Sequence, residues 1–402
     1  MKLKTTAGLI GSILGATLLA ATPAQAQNVK IGLLGGITGP IAAMAPPMLA
    51  ASQLAVAHVN EQGGIGNGGK LEVVVGDCGC NPQNATDAAT KAVNIDRVIG
   101  LVGPACSGAV LAAANSVAVP AGVLLITPSG TSPQITTIND KDLVFRTVPS
   151  DDYQGRALAR TLKARGTSKV AVAFLNNDYG KGLAEAFKAE FESNGGTIAG
   201  YSGHEAGKAS YRSDLAELAK AGADTLVIFD YGDGTGLVIM RQALENNFFK
   251  NFVGADGMKS DAVIRELGAE NLTTFFASAP VGEASTSLES FGKAFAAAGQ
   301  SPDAIFTTTS YDAAFLMALA IEKAGGDKTK LAESLRAVSS APGEPIMVGE
   351  WAKAKQLIAE GKDIDYKGAA GDHEFDKNGD VPGTYAFFKV SGDTYESLGE
   401  MK

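Results

Sequence analysis

Two segments place hydroxyls and glycines directly after strand-like runs. Gly103-Pro104-Ala105-Cys106-Ser107-Gly108 follows residues 98–102, and Thr127-Pro128-Ser129-Gly130-Thr131-Ser132-Pro133 follows residues 123–126. Loops at the carboxyl ends of neighbouring parallel strands open on one crevice. Loops built from Gly, Ser and Thr turn N–H and hydroxyl donors toward it, which suits a carboxylate or another small anion. In the second half of the chain, Tyr179 in Asn176-Asn177-Asp178-Tyr179-Gly180 and Asp256 in Gly254-Ala255-Asp256-Gly257 also stand just past strand-like runs. Donors on one side and a carboxylate on the other match a zwitterion, its carboxylate at the hydroxyl loops and its ammonium at Asp256. The competing reading of Asp256 is a turn or cap residue ahead of residues 261–267. That of Tyr179 is a packing ring rather than a cover over a ligand.

The same residues argue against catalysis. Ser107 lacks the Gly-x-Ser-x-Gly frame of a nucleophile elbow, because Ala105 and Ala109 occupy the glycine positions. The chain has three histidines, His58, His204 and His373, too scattered to serve Ser107 as a base or to form a metal site, so no catalytic residue, metal or cofactor is expected. Gly180-Lys181 runs into Gly182 instead of Ser or Thr, which removes a phosphate loop, and Gly232, Gly234 and Gly236 miss the dinucleotide spacing. Asp376, Asn378 and Asp380 alternate as in a calcium loop, yet the glycine is misplaced and the distal glutamate absent, leaving a turn.

These loops need strands and helices behind them. Strands are expected at 29–34, 71–75, 98–102 and 123–126, with helices at 45–62, 82–96 and 108–119 between them, a doubly wound α/β sheet. After a break at 145–150 the alternation restarts, with strands at 169–174, 225–229 and 252–254 and helices at 153–165, 180–192, 211–221 and 236–246. Two similar lobes are implied. Helices at 287–298 and 311–324, an irregular stretch through 342–371 and a closing hairpin of 373–375 with 384–390 complete the chain, so the lobes are built from discontinuous segments.

Bulk composition narrows the partners. Lys2 and Lys4, the apolar run 7–21 and Ala24-Gln25-Ala26 read as a signal peptide cut after Ala26, which predicts a soluble, exported mature chain. The precursor carries −9, and 32 basic against 43 acidic residues leave −11 once Lys2 and Lys4 are gone, which excludes nucleic acid. Cys78, Cys80 and Cys106 in an exported chain predict one disulfide; Cys80 and Cys106 both follow strands, and a Cys78–Cys106 pairing stays open.

Taken in order, Gly39-Pro40, Asn81-Pro82, Cys106-Ser107, residues 126–133, Asn177-Asp178-Tyr179-Gly180-Lys181-Gly182-Leu183-Ala184 and Gly254-Ala255-Asp256-Gly257 resemble the periplasmic leucine/isoleucine/valine-binding protein family over essentially the whole mature chain. The resemblance implies a type I periplasmic binding protein, two Rossmann-like lobes joined by three hinge crossovers near 147–150, 278–280 and 371–374. The lobes would be 27–148 plus 280–371 and 149–279 plus 372–402. It implies a protein of the periplasm that hands an amino acid to an inner-membrane ABC permease, with a monomer as the default expectation. By the same resemblance Ser107 and Thr131 would hold the ligand's carboxylate, the Ser129 carbonyl and Asp256 its ammonium, Tyr179 would close from the second lobe, and Cys80 would pair with Cys106. Three departures bear on the ligand. Asp256 stands where the family often has glutamate, Met44 where an aromatic lining residue is common, and Tyr231 meets the second-lobe tyrosine only with a shift. Amides, aromatic acids and γ-amino acids therefore stay open beside leucine-like ligands. The rival functions are a periplasmic sensor of the same fold that binds an amide or small organic acid and signals to a partner, and a secreted hydrolase using Ser107.

Overall fold

The computed structural model describes Met1 and residues 27–401; the expected signal segment and its cleavage site lie outside the described residues. The first sheet is wholly parallel, in the order β2-β1-β3-β4-β5: β1 Val29–Gly35, β2 Leu71–Asp77, β3 Gly100–Val102, β4 Leu124–Thr127 and β5 Val144–Arg146. The central strands β1, β3 and β4 are almost unbroken apolar runs because helices cover both faces. The helices between them start where the sequence supplies caps. Asn81 accepts from the backbone N–H of Gln83 and Asn84 ahead of helix Pro82–Thr90, whose proline fills a first-turn position that needs no donor.

The second sheet is mixed, in the order β14-β13-β10-β9-β8-β6-β7. Its parallel part is β6 Lys169–Leu175, β7 Thr197–His204, β8 Thr225–Phe229, β9 Asn251–Gly254 and β10 Phe275–Val281. A parallel pair, β11 Glu344–Ile346 and β12 Ile364–Tyr366, forms a small third sheet around helix Trp351–Ala359. The chain ends in the antiparallel strands β13 Thr384–Ser391 and β14 Thr394–Glu400.

Several expected elements are displaced. The closing hairpin is β13 with β14, turning at Gly392-Asp393, and residues 373–375 are not a strand. The turn 376–380 docks instead on the end of β5: Arg146 N donates to the Gly379 carbonyl at 3.0 Å, and Phe375 packs edge-on against Phe145 with ring centroids 5.0 Å apart. The stretch 342–371 is ordered, with β11, β12 and a helix whose Trp351 is fully buried.

Helix Thr307–Lys323 is buried along most of its length and lies on helix Ala45–Glu61 and on β3 and β4, so the late segment completes the core under the first sheet. The chain thus passes between the two sheets after Arg146, after Val281 and ahead of Thr384. The expected borders at 279/280 and 371/372 fall inside packed segments: Pro280 is paired with Tyr385 in the second sheet, while Phe375 and Val381 are buried in the first core. These apolar contacts, rather than the prolines and glycines of the crossovers, decide where each segment belongs.

Candidate ligand-binding site

The loop after β3 reaches the cleft through Gly103, held at φ +94 with the Leu34 carbonyl where a Cβ would stand, a place only glycine fills. Cys106 is bonded to Cys80, with Cα atoms 5.3 Å apart, and Cys78 is free and buried. The bridge anchors the residue next to Ser107, which begins helix Ser107–Ala113. Ser107 Oγ accepts from Ser132 N at 3.1 Å, joining the two hydroxyl loops. Within the second loop Thr127 Oγ1 donates to the Pro104 carbonyl at 2.7 Å and Ser129 Oγ to the Ala105 carbonyl at 2.9 Å.

Behind these loops lies Arg146, wholly buried. Its guanidinium donates to the carbonyls of Thr131 and Ser132 at 3.0 and 3.1 Å, to Thr136 Oγ1 at 2.5 Å, and through two nitrogens to Asp380 at 2.7 and 2.8 Å. A buried cation is tolerated when its donors are all matched in this way. Arg146 thereby fixes the ligand-facing loop to the segment that leads into the third crossing.

Across the cleft, helix Asp178–Ser193 is capped by Asn177, whose side chain accepts from Gly180 N at 2.8 Å, and the first turn aims Tyr179 inward. Tyr179 donates to Asp256 Oδ1 at 2.6 Å and accepts from Gly257 N at 3.1 Å. Its ring stacks on Tyr231, centroids 5.0 Å apart and planes 19° from parallel. Gly257 permits this: a Cβ would stand 2.5 Å from the Asp230 carbonyl and 2.9 Å from the Tyr179 oxygen.

These residues line a small cavity that is partly open to solvent. Met44, Ser107, Ser129, Thr131, Tyr179 and Asp256, the six residues singled out in the sequence, all line it. Sequence reasoning did not include Ile41, Met48 and Phe306, which with Met44 form an apolar wall, and it left Tyr231 out of register; the structure sets Tyr231 in the lining. None of the three histidines is there: His58 meets the Tyr311 hydroxyl at 2.7 Å, His204 is paired with Asp230 at 2.6 Å, and His373 lies 3.6 Å from Asp312. Among the described residues no group of three metal-ligating side chains assembles, and no helix is long and apolar enough to cross a membrane.

Two electrostatic features mark the cavity. Thr131 Oγ1 is buried in the cavity lining, makes no hydrogen bond of ordinary geometry, and acts on the Asp151 carboxyl behind it. Burial pushes the Asp256 carboxyl up to about 6, against the opposing pull of the hydrogen bonds from Tyr179 and Gly257. The arrangement offers donors on the first-lobe side, a carboxylate on the other and apolar surface between them. The cleft is shut at its rims as well: Ser132 Oγ donates to the Asp178 carbonyl at 3.0 Å, and Ala43 N donates to the Asp233 carboxylate at 2.9 Å.

Comparison with known proteins agrees with this architecture. The family described as "Receptor family ligand binding region" matches residues 47–393. The leucine-, isoleucine-, valine-, threonine- and alanine-binding protein of Pseudomonas aeruginosa is 34% identical over 323 residues, covering 78% of this chain and 83% of that one. The chain belongs to the leucine/isoleucine/valine-binding protein family. Solved structures similar to this member of the family include a leucine-binding protein from Thermotoga maritima, TM-score 0.79 at 24% identity, covering 93% of this chain and 99% of that one. A solute-binding protein from R. palustris solved with benzoate has TM-score 0.74 at 21% identity, covering 93% and 96%. Both show the fold of the family: two α/β lobes around a cleft.

Proposed function

We propose that the chain is the periplasmic receptor of an ABC importer and that it closes two lobes around an α-amino acid of the leucine, isoleucine and valine class. The observation that carries this reading is the opposition of the buried Thr131 hydroxyl and the Asp256 carboxylate in one small cavity with an apolar wall. The ligand's carboxylate takes the Ser107 and Thr131 hydroxyls and neighbouring backbone N–H groups. Its ammonium takes Asp256 and the Ser129 carbonyl. Tyr179 and Tyr231 cover it from the second lobe, and Ile41, Met44, Met48 and Phe306 receive the side chain. Charged hydrogen bonds contribute roughly 1.5–3 kcal/mol each, so a few of them with a modest apolar contact reach micromolar affinity after association costs. The P. aeruginosa relative's name supports an aliphatic amino acid, and threonine in that name fits a cavity that tolerates a hydroxyl.

The same reading has the leader removed after Ala26 and the mature chain act as a monomer that docks, when closed, on an inner-membrane permease. It divides the mature chain into lobes of 27–148 with 282–381 and 149–281 with 382–402.

The test is a thermal-shift screen of ligand-stripped mature protein against amino acids, their amides and aromatic acids, followed by calorimetry. A ligand that binds only the folded state raises its melting temperature. Stabilisation by aliphatic amino acids is expected. Stabilisation by an amide or a non-amine acid alone would keep the fold and overturn the amino-acid reading.

A further inference from the structure

Asp151 opens helix Asp151–Ala164 immediately after the first crossing, and its side chain is wholly buried beside the ligand cavity. Its backbone N–H donates to the Thr131 carbonyl at 2.8 Å, which sets it directly behind a cavity residue. Its Oδ2 has no hydrogen-bond partner of ordinary geometry, and the hydroxyl that acts on the carboxyl is that of Thr131. The nearby Arg146 does not supply a partner, since its guanidinium is spent on Thr131, Ser132, Thr136 and Asp380. Gln154, one turn along the same helix, links Asp151 to the other cavity acid. In the orientation that satisfies all its neighbours, its amide nitrogen donates to Asp151 Oδ1 at 3.2 Å, while its oxygen accepts from Ser278 Oγ at 3.0 Å and from Asp256 N at 3.2 Å.

Two buried carboxyl groups are therefore bridged by one amide, and the Arg146 guanidinium beside them is committed elsewhere. The groups around them add no cation. Tyr179 is bonded to Asp256, the Tyr385 hydroxyl donates to the Pro149 carbonyl, Tyr231 is stacked on Tyr179, and Asp152 on the same helix is a further acid. Two buried carboxyl groups that feel each other's charge do not readily both ionise. Burial, and then the charge of Asp256, hold the Asp151 carboxyl well above the usual carboxylate range, although the Thr131 hydroxyl and Arg146 pull the other way.

We propose that Asp151 and Asp256 act as one acidic unit that carries a single proton while the cleft is empty, and that the ammonium of an α-amino acid expels this proton as it seats. One carboxyl O–H bond breaks, the proton passes to solvent, and the incoming positive charge takes its place; no electrons move. Capture then releases one proton per ligand. A ligand without a cation leaves the proton where it is. The inference rests on the amino-acid reading above and adds to it a requirement for a cationic ligand and a dependence on pH.

The experiment is calorimetric titration of the mature protein with L-leucine, L-threonine and L-alanine at about pH 6, in buffers that differ in ionisation enthalpy. A release approaching one proton per ligand is expected, with the binding constant rising about tenfold per pH unit on the acid side before it levels. In Asp151→Asn, where Asp256 alone titrates at about 6, the release measured again at about pH 7 should fall toward zero, whereas in the wild type it persists there. The wild-type pH profile decides the matter even if that variant does not fold. Amino-acid binding without proton release, or unchanged release in Asp151→Asn at the higher pH, would overturn this inference and leave the receptor function standing. Absence of binding by every amino acid, with capture of a non-amine acid and no proton release, would overturn both.

Discussion

The Tyr179 hydroxyl and the Asp256 carboxylate meet at 2.6 Å inside the closed cleft, and the same phenol oxygen accepts from Gly257 N at 3.1 Å. The tyrosine thus favours the ionised aspartate that an ammonium requires. Tyr179→Phe keeps the ring and its stacking on Tyr231 but removes the donor. Calorimetry should show amino-acid affinity lowered by roughly tenfold, about 1.5 kcal/mol, with little change in folding stability.

Thr131 and Ser129 offer a contrast between hydroxyls. Thr131 Oγ1 makes no hydrogen bond of ordinary geometry within the protein, whereas Ser129 Oγ donates to the Ala105 carbonyl. Thr131→Val, equal in shape, should weaken binding by about tenfold or more and leave the melting temperature nearly unchanged. Ser129→Ala should do the reverse, lowering stability by about 1 kcal/mol while its carbonyl goes on serving the ligand.

Arg146 is a structural keystone rather than a ligand residue. Arg146→Met strips the Asp380 carboxylate of its partner and frees the Thr131 and Ser132 carbonyls; urea denaturation should show a loss of about 3–5 kcal/mol. Adding Asp380→Asn should recover part of it, because the stranded charge is then gone.

The cysteines make separable predictions. Replacing Cys80 and Cys106 by serine releases a link across 26 residues, a loss of about 3.5 kcal/mol by loop entropy. Cys78 is 1% exposed, and burial pushes its thiol up to about 12. A maleimide at neutral pH should leave Cys78 unlabelled in the native protein and label it in denaturant.

The empty protein should be less stable at neutral than at acid pH in so far as Asp256 decides it. Its folded value, about 6, lies above that of the unfolded chain, so the folded state holds the extra proton between the two. That contribution is complete below about pH 4 and is lost as pH rises through about 6. Melting curves of ligand-free wild type and Asp256→Asn across this interval measure the difference, which should shrink when leucine is present.

Much of this architecture is written in short runs. β1, β4, β6 and β8 are nearly pure apolar stretches between glycines and polar turns, and the hydroxyl loops that follow β3 and β4 are legible because parallel topology sends them to one edge. Other strands are hidden by their composition. β7 carries Gly200 and Gly203, β10 ends through Pro280 and is completed only by its antiparallel partner β13, and β14 is an exposed polar edge. Long-range pairs are invisible for a different reason. Arg146 and Asp380 are 234 residues apart, and nothing local to either marks the other. Asp151 reads as an ordinary first-turn helix acid, so only burial reveals its bearing on the site.

The cavity is built in two independent parts. Its polar half is locked into the scaffold by Arg146 and the Cys80–Cys106 bridge, whereas its apolar half comes from Ile41, Met44, Met48 and Phe306, which lie outside that lattice of bonds. Substitutions among those four side chains alter size and shape without disturbing the charge pattern or the frame. Such a division makes cargo preference an evolvable trait: a lineage can drift from one amino acid to another through single steps, each a working protein, while the means of gripping any amino acid is inherited intact.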